Sequence, residues 1–428
     1  MTRPLSIGVA GLGTVGAGVL RLLRDNASLI QARAGRAIAV TAVSAQSRTK
    51  DRGISTEGLR WYEDPVALAQ DPALDVVVEL IGGSEGPARA MVEAALHAKK
   101  PVVTANKALL AVHGMTLAEQ AGTTPLLFEA AVAGGIPVIK ALREGLAANQ
   151  VTRLAGIMNG TCNYILTTMR EQGREFADVL ADAQRLGYAE ADPAFDIDGV
   201  DTAHKLAILA ALAFNRPVDF AAMHIEGIRS VSATDIAFAT ELGYRIKLLG
   251  IARRTGEGIE TRVHPCMVPL TSPIARVEGV FNAVVVEGDA VGRIMLEGRG
   301  AGGGPTASAV VADLIDIARG RVTPIWGAAL NALTVSPTVP MLAHSGAYYL
   351  RLMLLDRAGV IADVAAALRD AGVSLESMIQ RGRAPGEAVP VVLVTHETSE
   401  AAIRTALATI SAMDSVLEPP ALIRIEPL

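Results

Sequence analysis

Cysteine is nearly absent from this 428-residue chain, which holds Cys162 and Cys266 and no others. Two cysteines cannot build a disulfide framework or an all-cysteine zinc site, and lone cysteines fit a reducing cytoplasm. Charge of one sign is concentrated nowhere. The net charge is −5, charged residues make up 19% of the chain, and no long Lys/Arg block occurs, which argues against nucleic acid or an anionic membrane as partner. Long hydrophobic runs are missing as well. The longest apolar helical stretch, residues 206–214, is far short of the ~20 residues that span a bilayer. The apolar run at 5–10 is cut at once by Gly11 and Gly13, so it reads as a strand rather than a signal peptide. Hydrophobic residues as a class are abundant, at 50%. They are enough for several cores, and the length predicts roughly two to four domains.

The run at 5–10, LSIGVA, leads into GLGTVG (Gly11, Gly13, Gly16) and then the periodic Val19, Leu20, Leu22 and Leu23. Strand, GxGxxG and helix in that order point to a dinucleotide site. Gly11 permits the tight turn, Gly13 lets a pyrophosphate approach the backbone, and Gly16 lets helix and strand pack closely. Helix N-terminal amides then face the phosphates. The bland alternative is a glycine-rich turn with no ligand. After the next strand, at 37–43, an NAD-selective site usually carries an acid for the ribose hydroxyls. No acid precedes Asp51, whereas Arg48 and Lys50 suit a 2′-phosphate. That favours NADPH over NADH, with a solvated basic loop as the competing reading. Further strands are expected at 75–80, 101–104 and 125–128, and a helix at 87–97. Strands alternating with helices imply a parallel sheet with right-handed crossovers. Ligands bind beyond the strand C-termini of such sheets, where Thr104, Asn106 and Lys107 fall. Glu129 beside Gly134 and Gly135 could free backbone carbonyls for a hard cation, although a plain loop entering the next helix is the simpler reading.

Near residue 137 the character changes. A helix at 138–146 and a strand at 151–158 precede NGTCNY (159–164), in which Thr161 or Asn163 could cap the following helix. Cys162 lacks a recognisable His/Asp partner pattern and is a poor nucleophile candidate. Residues 187–209, GYAEADPAFDIDGVDTAHKLAIL, gather Glu190, Asp192, Asp196, Asp198, Asp201 and Lys205. Helical spacing resumes after Gly199 and puts Asp201 and Lys205 on one face. In so apolar a setting the Lys205 ammonium is expected to be partly desolvated, which lowers a lysine pKa and makes a better proton donor near neutral pH. A solvated i,i+4 salt bridge is the competing reading. Strands at 245–252, 259–268 and 283–287 predict an α+β domain. Residues 298–306 form a second glycine-rich loop before a helix at 307–318, with Thr306 as candidate cap; this is a second possible phosphate contact, or a flexible connection. Residues 331–347, with Pro337 and Pro340, read as a linker. The order β-α-β-β-α-β beyond it is ferredoxin-like.

Together GLGTVG, VVTANK (102–107) and GYAEADPxxDIDGxDxxxK (187–205) resemble homoserine dehydrogenase, the NAD(P)-dependent reductase of aspartate semialdehyde. The resemblance covers essentially the whole chain. VVELIGG, NGTCNYIL and GAGGGPTASAVVAD also look like that family, and the C-terminal part looks like an ACT domain, an amino-acid-sensing module. The implied fold is α/β: a Rossmann-type parallel-sheet domain at 1–136, completed by part of 300–330; an α+β substrate and dimerisation domain at 137–330; a linker at 331–347; and a ferredoxin-like ACT domain at 348–428. The resemblance implies Lys205 as proton donor and Lys107 as the group holding substrate and cofactor near the carbonyl. Glu190 and Asp201 would bind the substrate and its ammonium, supported by Asp196. Leu12, Thr14, Val15, Thr104, Gly187 and Gly302 would contact the cofactor. A sodium ion would sit on Glu129 and the carbonyls of Val132, Gly134 and Ile136. NADPH is expected as cofactor with NADH as the alternative, threonine as the ACT effector, and a homodimer or homotetramer as the assembly. The first ACT turn departs from the D-x-P-G often seen there, reading Asp356-Arg-Ala-Gly359. Two rivals stand beside this reading: another NADP-linked dehydrogenase of a small amino acid, and a non-catalytic amino-acid-sensing regulator.

Overall fold

The computed structural model describes residues 3–382 and 384–428. The chain divides into two compact units: Met1–Gly160 with Asp201–Ala221 and Val280–Ser336, and Thr161–Val200 with Ala222–Gly279 and Pro337–Leu428.

The first unit is built on six parallel strands, β1 (Leu5–Ala10), β2 (Ile38–Ser44), β3 (Arg60–Tyr62), β4 (Val76–Glu79), β5 (Val102–Thr104) and β6 (Leu126–Leu127). Their order is β3-β2-β1-β4-β5-β6. Strands buried on both faces read as unbroken apolar runs rather than alternating ones, and Val76, Val77 and Val78 are each 0% exposed. The direction of winding reverses between β1 and β4, where such sheets open a ligand crevice. Helix Gly303–Ala318 packs on helix Thr14–Asp25, and its Ala307, Val310 and Leu314 share a core with Val19, Leu23, Ile7 and Val78. The approach is close because Gly18 has no side chain: a Cβ there would lie 2.4 Å from the Gly303 carbonyl oxygen. The unit also holds an antiparallel trio, Val151–Ile157, Phe281–Gly288 and Gly292–Arg299. From Asp201 onward it holds the helix Val200–Phe214, in which every residue from Asp201 to Leu212 is buried.

Several local expectations are corrected. The helix expected at 138–146 is one turn, Val138–Lys140, running into a π-helical turn at Ala141–Gly145. Thr306 does not cap the helix after the second glycine loop. Gly302 does, at φ 113°, and the Thr306 amide donates to the Gly302 carbonyl within the first turn. Strands Arg60–Tyr62 and Gly292–Arg299 were not expected, being short or interrupted by glycine and charge.

In the second unit, strands Tyr244–Arg254 and Ile259–Pro269 form a long antiparallel hairpin. The C-terminal part has the anticipated order: strand Ser345–Leu355, helix Val360–Asp370, strands Leu375–Gln380 and Ala388–Thr395, helix Glu400–Ser411 and strand Ala421–Ile425. Alternate residues Tyr348, Leu350, Leu352 and Leu354 form the core with the two helices. The last strand also pairs with Ile259–Pro269 through Arg424 and Ile425, and Thr338–Val339 pairs with Ile259 and Glu260. The segment 331–347 is therefore no free linker. Residues 331–336 stay with the first unit and the chain from Pro337 joins the second. Neither Thr161 nor Asn163 caps helix Gly160–Gln172. The Thr161 hydroxyl donates to the Tyr188 carbonyl and the Asp196 carboxylate, and the Asn163 amide group donates to the Val277 carbonyl and accepts from Lys247. No helix among the described residues is long and apolar enough to cross a membrane.

Candidate active site

At the end of β1 the chain turns at Gly11 with φ 93°. A Cβ on Gly11 would lie 2.3 Å from the Leu80 carbonyl oxygen, and one on Gly16 would lie 2.0 Å from the Gly11 carbonyl oxygen. At Gly13 a Cβ would meet nothing within 4 Å. Packing thus requires the first and third glycines, while the second leaves open backbone of the kind a pyrophosphate needs. The crevice beside this turn measures about 500 Å³ and is lined by Leu12, Ser44, Lys50, Arg52 and Ile81, among others. Of the two cations expected for a 2′-phosphate, Lys50 lines the crevice. Arg48 does not; its guanidinium lies 6.0 Å over the Trp61 ring. Arg52 was overlooked. It donates to the carbonyls of Leu12 at 3.0 Å, Lys50 at 2.8 Å and Ser47 at 2.6 Å, clamping the basic loop to the glycine turn. The alternation Arg48, Lys50, Arg52 was the signal for it.

Beyond β5, the Thr104 hydroxyl donates to Glu79 and accepts the Asn106 amide, so this side chain ties β4 to β5 inside the protein. Asn106 caps helix Lys107–Ala121 by accepting the Leu109 amide at 3.0 Å. Lys107 is thereby set at a helix start beyond a strand C-terminus. It lines a second crevice, of about 200 Å³, with Val15, Ala105, Gly134, Lys205 and Gly302. Lys205 is 9% exposed. Its ammonium donates to Asp201 Oδ2 at 2.7 Å and to the Met158 carbonyl at 2.6 Å. Lys107 lies 2.9 Å from Asp201 Oδ1, and Asn159 donates to Oδ2 at 2.8 Å. Burial alone would raise the Asp201 pKa. The ammonium groups of Lys205 and Lys107 and the Asn159 amide outweigh it and hold the carboxyl well below the usual range. Burial pushes the neighbouring His204 down, so this ring is neutral at physiological pH. The solvated salt bridge is therefore excluded in favour of a buried carboxylate joining two lysines.

The family comparisons agree with this geometry. The family described as "Homoserine dehydrogenase" matches residues 137–315, "Homoserine dehydrogenase, NAD binding domain" matches 11–126, and "ACT domain" matches 348–412. The homoserine dehydrogenase of Neisseria gonorrhoeae is 48% identical over 438 residues, covering 100% of this chain and 99% of that one. The chain belongs to the homoserine dehydrogenase family. It is an NAD(P)-dependent oxidoreductase with a Rossmann-type cofactor domain, a mixed-sheet substrate domain and a C-terminal ACT domain. A homoserine dehydrogenase from Thiobacillus denitrificans superposes with a TM-score of 0.94 at 49% identity over 99% of both chains. A hyperthermophilic archaeal homoserine dehydrogenase solved in complex with NADPH matches 73% of this chain and 97% of its own, at TM-score 0.63 and 26% identity.

The other residues implied by homoserine dehydrogenase membership fall as follows. Leu12 and Val15 line the two crevices, and Thr14 packs against the second glycine loop, its carbonyl 3.0 Å from where a Gly303 Cβ would be. Asp201 was expected to meet the substrate's ammonium. Its side chain is 4% exposed and both oxygens are engaged by Lys107, Lys205 and Asn159, so it positions lysines instead. Glu129 is 2% exposed and accepts the amides of Ile139 at 2.9 Å and Lys140 at 2.8 Å. Burial and the nearby Asp313 push Glu129 up to about 7, and burial pushes Asp313 up to about 6. Ala133 and Gly134 both have positive φ, and the Ile136 carbonyl accepts the Val138 amide at 2.8 Å. One buried carboxylate among turning carbonyls is a donor set of the hard-cation kind, but a cation would share these oxygens with amides. Among the described residues no cluster of three His, Cys, Asp or Glu could hold a metal. In the second unit, Gly187 takes φ 77° just after helix Phe176–Arg185. Glu190 is exposed, and its carboxylate takes no partner among the described residues. Asp196 accepts from Thr161 at 3.1 Å.

Proposed function

We propose that the enzyme reduces L-aspartate 4-semialdehyde to L-homoserine with NADPH, and that Lys205 protonates the forming alkoxide. The observation that carries this reading is a buried ammonium, fixed by Asp201 and the Met158 carbonyl, lining one crevice with Lys107 and the loop at Gly302. The bound nicotinamide supplies a hydride to the aldehyde carbon. Negative charge grows on the aldehyde oxygen only as the transition state forms, so an ammonium beside it favours that state over the ground state. Lys205 transfers its proton there, and Lys107 adds a second positive charge. Asp201 holds both ammonium groups in position. Glu190, an exposed carboxylate, receives the substrate's ammonium, and Asp196 steadies its segment through Thr161.

The lack of an acid between β2 and Asp51 and the cations Lys50 and Arg52 support NADPH over NADH, as does the archaeal relative solved with NADPH. Sodium on Glu129 and the carbonyls of Val132, Gly134 and Ile136 belongs to the same reading, supported by the buried carboxylate. So do threonine as an effector of the ACT domain, a homodimer or homotetramer, and a role in making threonine, methionine and isoleucine. Cytoplasmic residence is supported by two cysteines, neither in a disulfide. The test is Lys205→Ala. Turnover with aspartate semialdehyde should fall by about 10²–10⁴, with NADPH affinity kept. Near-normal turnover would end the assignment.

A further inference from the structure

Strand Val151–Ile157 ends beside the catalytic lysines, and three consecutive residues at that end each make one contact. The Ile157 carbonyl accepts the Asn282 side-chain amide at 2.9 Å. The Met158 carbonyl accepts the Lys205 ammonium at 2.6 Å. The Asn159 side-chain amide donates to Asp201 Oδ2 at 2.8 Å. Lys205 and Asp201 are thus tied to residues 158 and 159, and Asn282 ties down the residue just before them. Asn282 is 2% exposed. No water at that depth replaces a lost partner, so this bond costs more to break than one at the surface.

Asn282 comes from the neighbouring strand Phe281–Gly288, in which Ala283 stands opposite Ile157. Its other neighbour is the second glycine-rich loop. A Cβ on Gly300 would lie 1.6 Å from Asn282 Oδ1 and 2.1 Å from its Cγ, so the loop backbone rests directly on the asparagine. Gly134 closes on the same residue: a Cβ there would lie 2.5 Å from the Gly300 carbonyl oxygen. The Gly135 amide adds a hydrogen bond to the Arg299 carbonyl at 3.1 Å. Gly300 is therefore wedged between Asn282 and Gly134. Gly300, Ala301 and Gly302 line the same crevice as Lys107 and Lys205. One side chain consequently sets two walls of that crevice. Its NH2 group fixes the strand end that carries the partners of Lys205 and Asp201, and its oxygen edge fixes the loop expected to meet the cofactor. Proton transfer needs the ammonium within hydrogen-bond reach of the aldehyde oxygen while hydride arrives at the adjacent carbon, so the spacing between these walls decides how often both conditions are met.

We propose that Asn282 is a positioning residue for the reduction, holding the Lys205–Asp201 pair at a fixed distance from the glycine loop. It acts through the backbone of residues 157–159 and of Gly300. The proposal rests on the reading of Lys205 as proton donor and names the group that places it.

The experiment is steady-state kinetics of full-length Asn282→Ala, Gly300→Ala and the double variant, with a fluorescence titration of NADPH on each. Asn282→Ala should lower kcat with aspartate semialdehyde by about 10- to 100-fold, the cost of a catalytic group displaced by about 1 Å. It should still bind NADPH at full stoichiometry, with a dissociation constant within about threefold of the wild type, which separates misplacement from loss of folded protein. Gly300→Ala should lose turnover as well, because its Cβ pushes Asn282 off the Ile157 carbonyl. Asn282→Ala removes the two atoms nearest that Cβ, so the two losses should not multiply in the double variant. Wild-type kcat in Asn282→Ala, a fall in kcat matched by lost NADPH stoichiometry, or losses that multiply would overturn the proposal. If one single variant fails to fold, the other carries the test. An active wild type with no response to Asn282→Ala ends this proposal and leaves Lys205 as proton donor, whereas near-normal turnover in Lys205→Ala ends the reading beneath it.

Discussion

Asp201→Asn removes one negative charge from between two ammonium groups and changes almost nothing else in shape. Lys205, at 9% exposed, cannot recover the lost partner from water, whereas Lys107, with a side chain 34% exposed, largely can. The cost therefore falls on Lys205. Breaking a buried pair by removing one member costs about 3–5 kcal/mol, and about 2–4 °C of melting temperature follows each kcal/mol in a domain of this size. Calorimetry should show the first unit melting on the order of 6–20 °C lower. The folded Asp201 pKa is depressed, so its stabilisation is present above the unfolded value of about 3.9 and is lost as pH falls through the folded value. The gap between wild type and variant should thus be constant from about pH 5 to neutral pH and narrow as pH falls below the unfolded value. Turnover should drop by about the 10²–10⁴ assigned to Lys205, because an ammonium that is displaced or deprotonated cannot give its proton in place. The double variant with Lys205→Ala should be no slower than Lys205→Ala alone, since both act on one group. Wild-type melting and turnover in Asp201→Asn, or losses that simply add, would refute the account.

Gly13→Ala should leave the melting temperature nearly unchanged, since its Cβ meets nothing, yet weaken NADPH binding by tenfold or more. Gly16→Ala, with its Cβ 2.0 Å from the Gly11 carbonyl oxygen, should instead reduce folded yield; fluorescence titration and thermal melts separate the two. Lys50→Ala should raise the dissociation constant for NADPH by about tenfold, one charge-assisted contact, and leave that for NADH unaltered; an equal effect on both would count against a 2′-phosphate contact. Glu260, which burial would raise, is held at about 2 by His344 and Arg262. Its contribution is present above pH 4.5 and is lost as pH falls toward 2, so Glu260→Gln should be less stable at pH 7 by about 3 kcal/mol and flatter between pH 4.5 and 2 in urea melts.

The parallel sheet, the glycine turn and the βαββαβ tail were legible because each rests on local spacing. Apolar runs of strand length alternate with helical ones, and GLGTVG sits between them. Asp201 and Lys205 were legible as a pair for the same reason, since positions four apart on a helix must face the same way. What that pair does was decided elsewhere in the chain. Lys107 and Asn159 lie 94 and 42 residues away from Asp201 in sequence, and their arrival turned a presumed substrate ligand into the hub of two lysines. Arg48 and Arg52 differ by four positions, share a charge and both lie 6.0 Å over the Trp61 ring, yet only the second donates to the Leu12 carbonyl and lines the crevice. The linker reading failed because Thr338–Val339 pairs with a strand some eighty residues earlier and Ser345 and Gly346 pair with Ser399 and Thr398. Periodicity and turn chemistry are properties of neighbours along the chain. Which carboxylate is already neutralised, and which strand edge is covered, depends on groups that only folding brings within hydrogen-bonding distance.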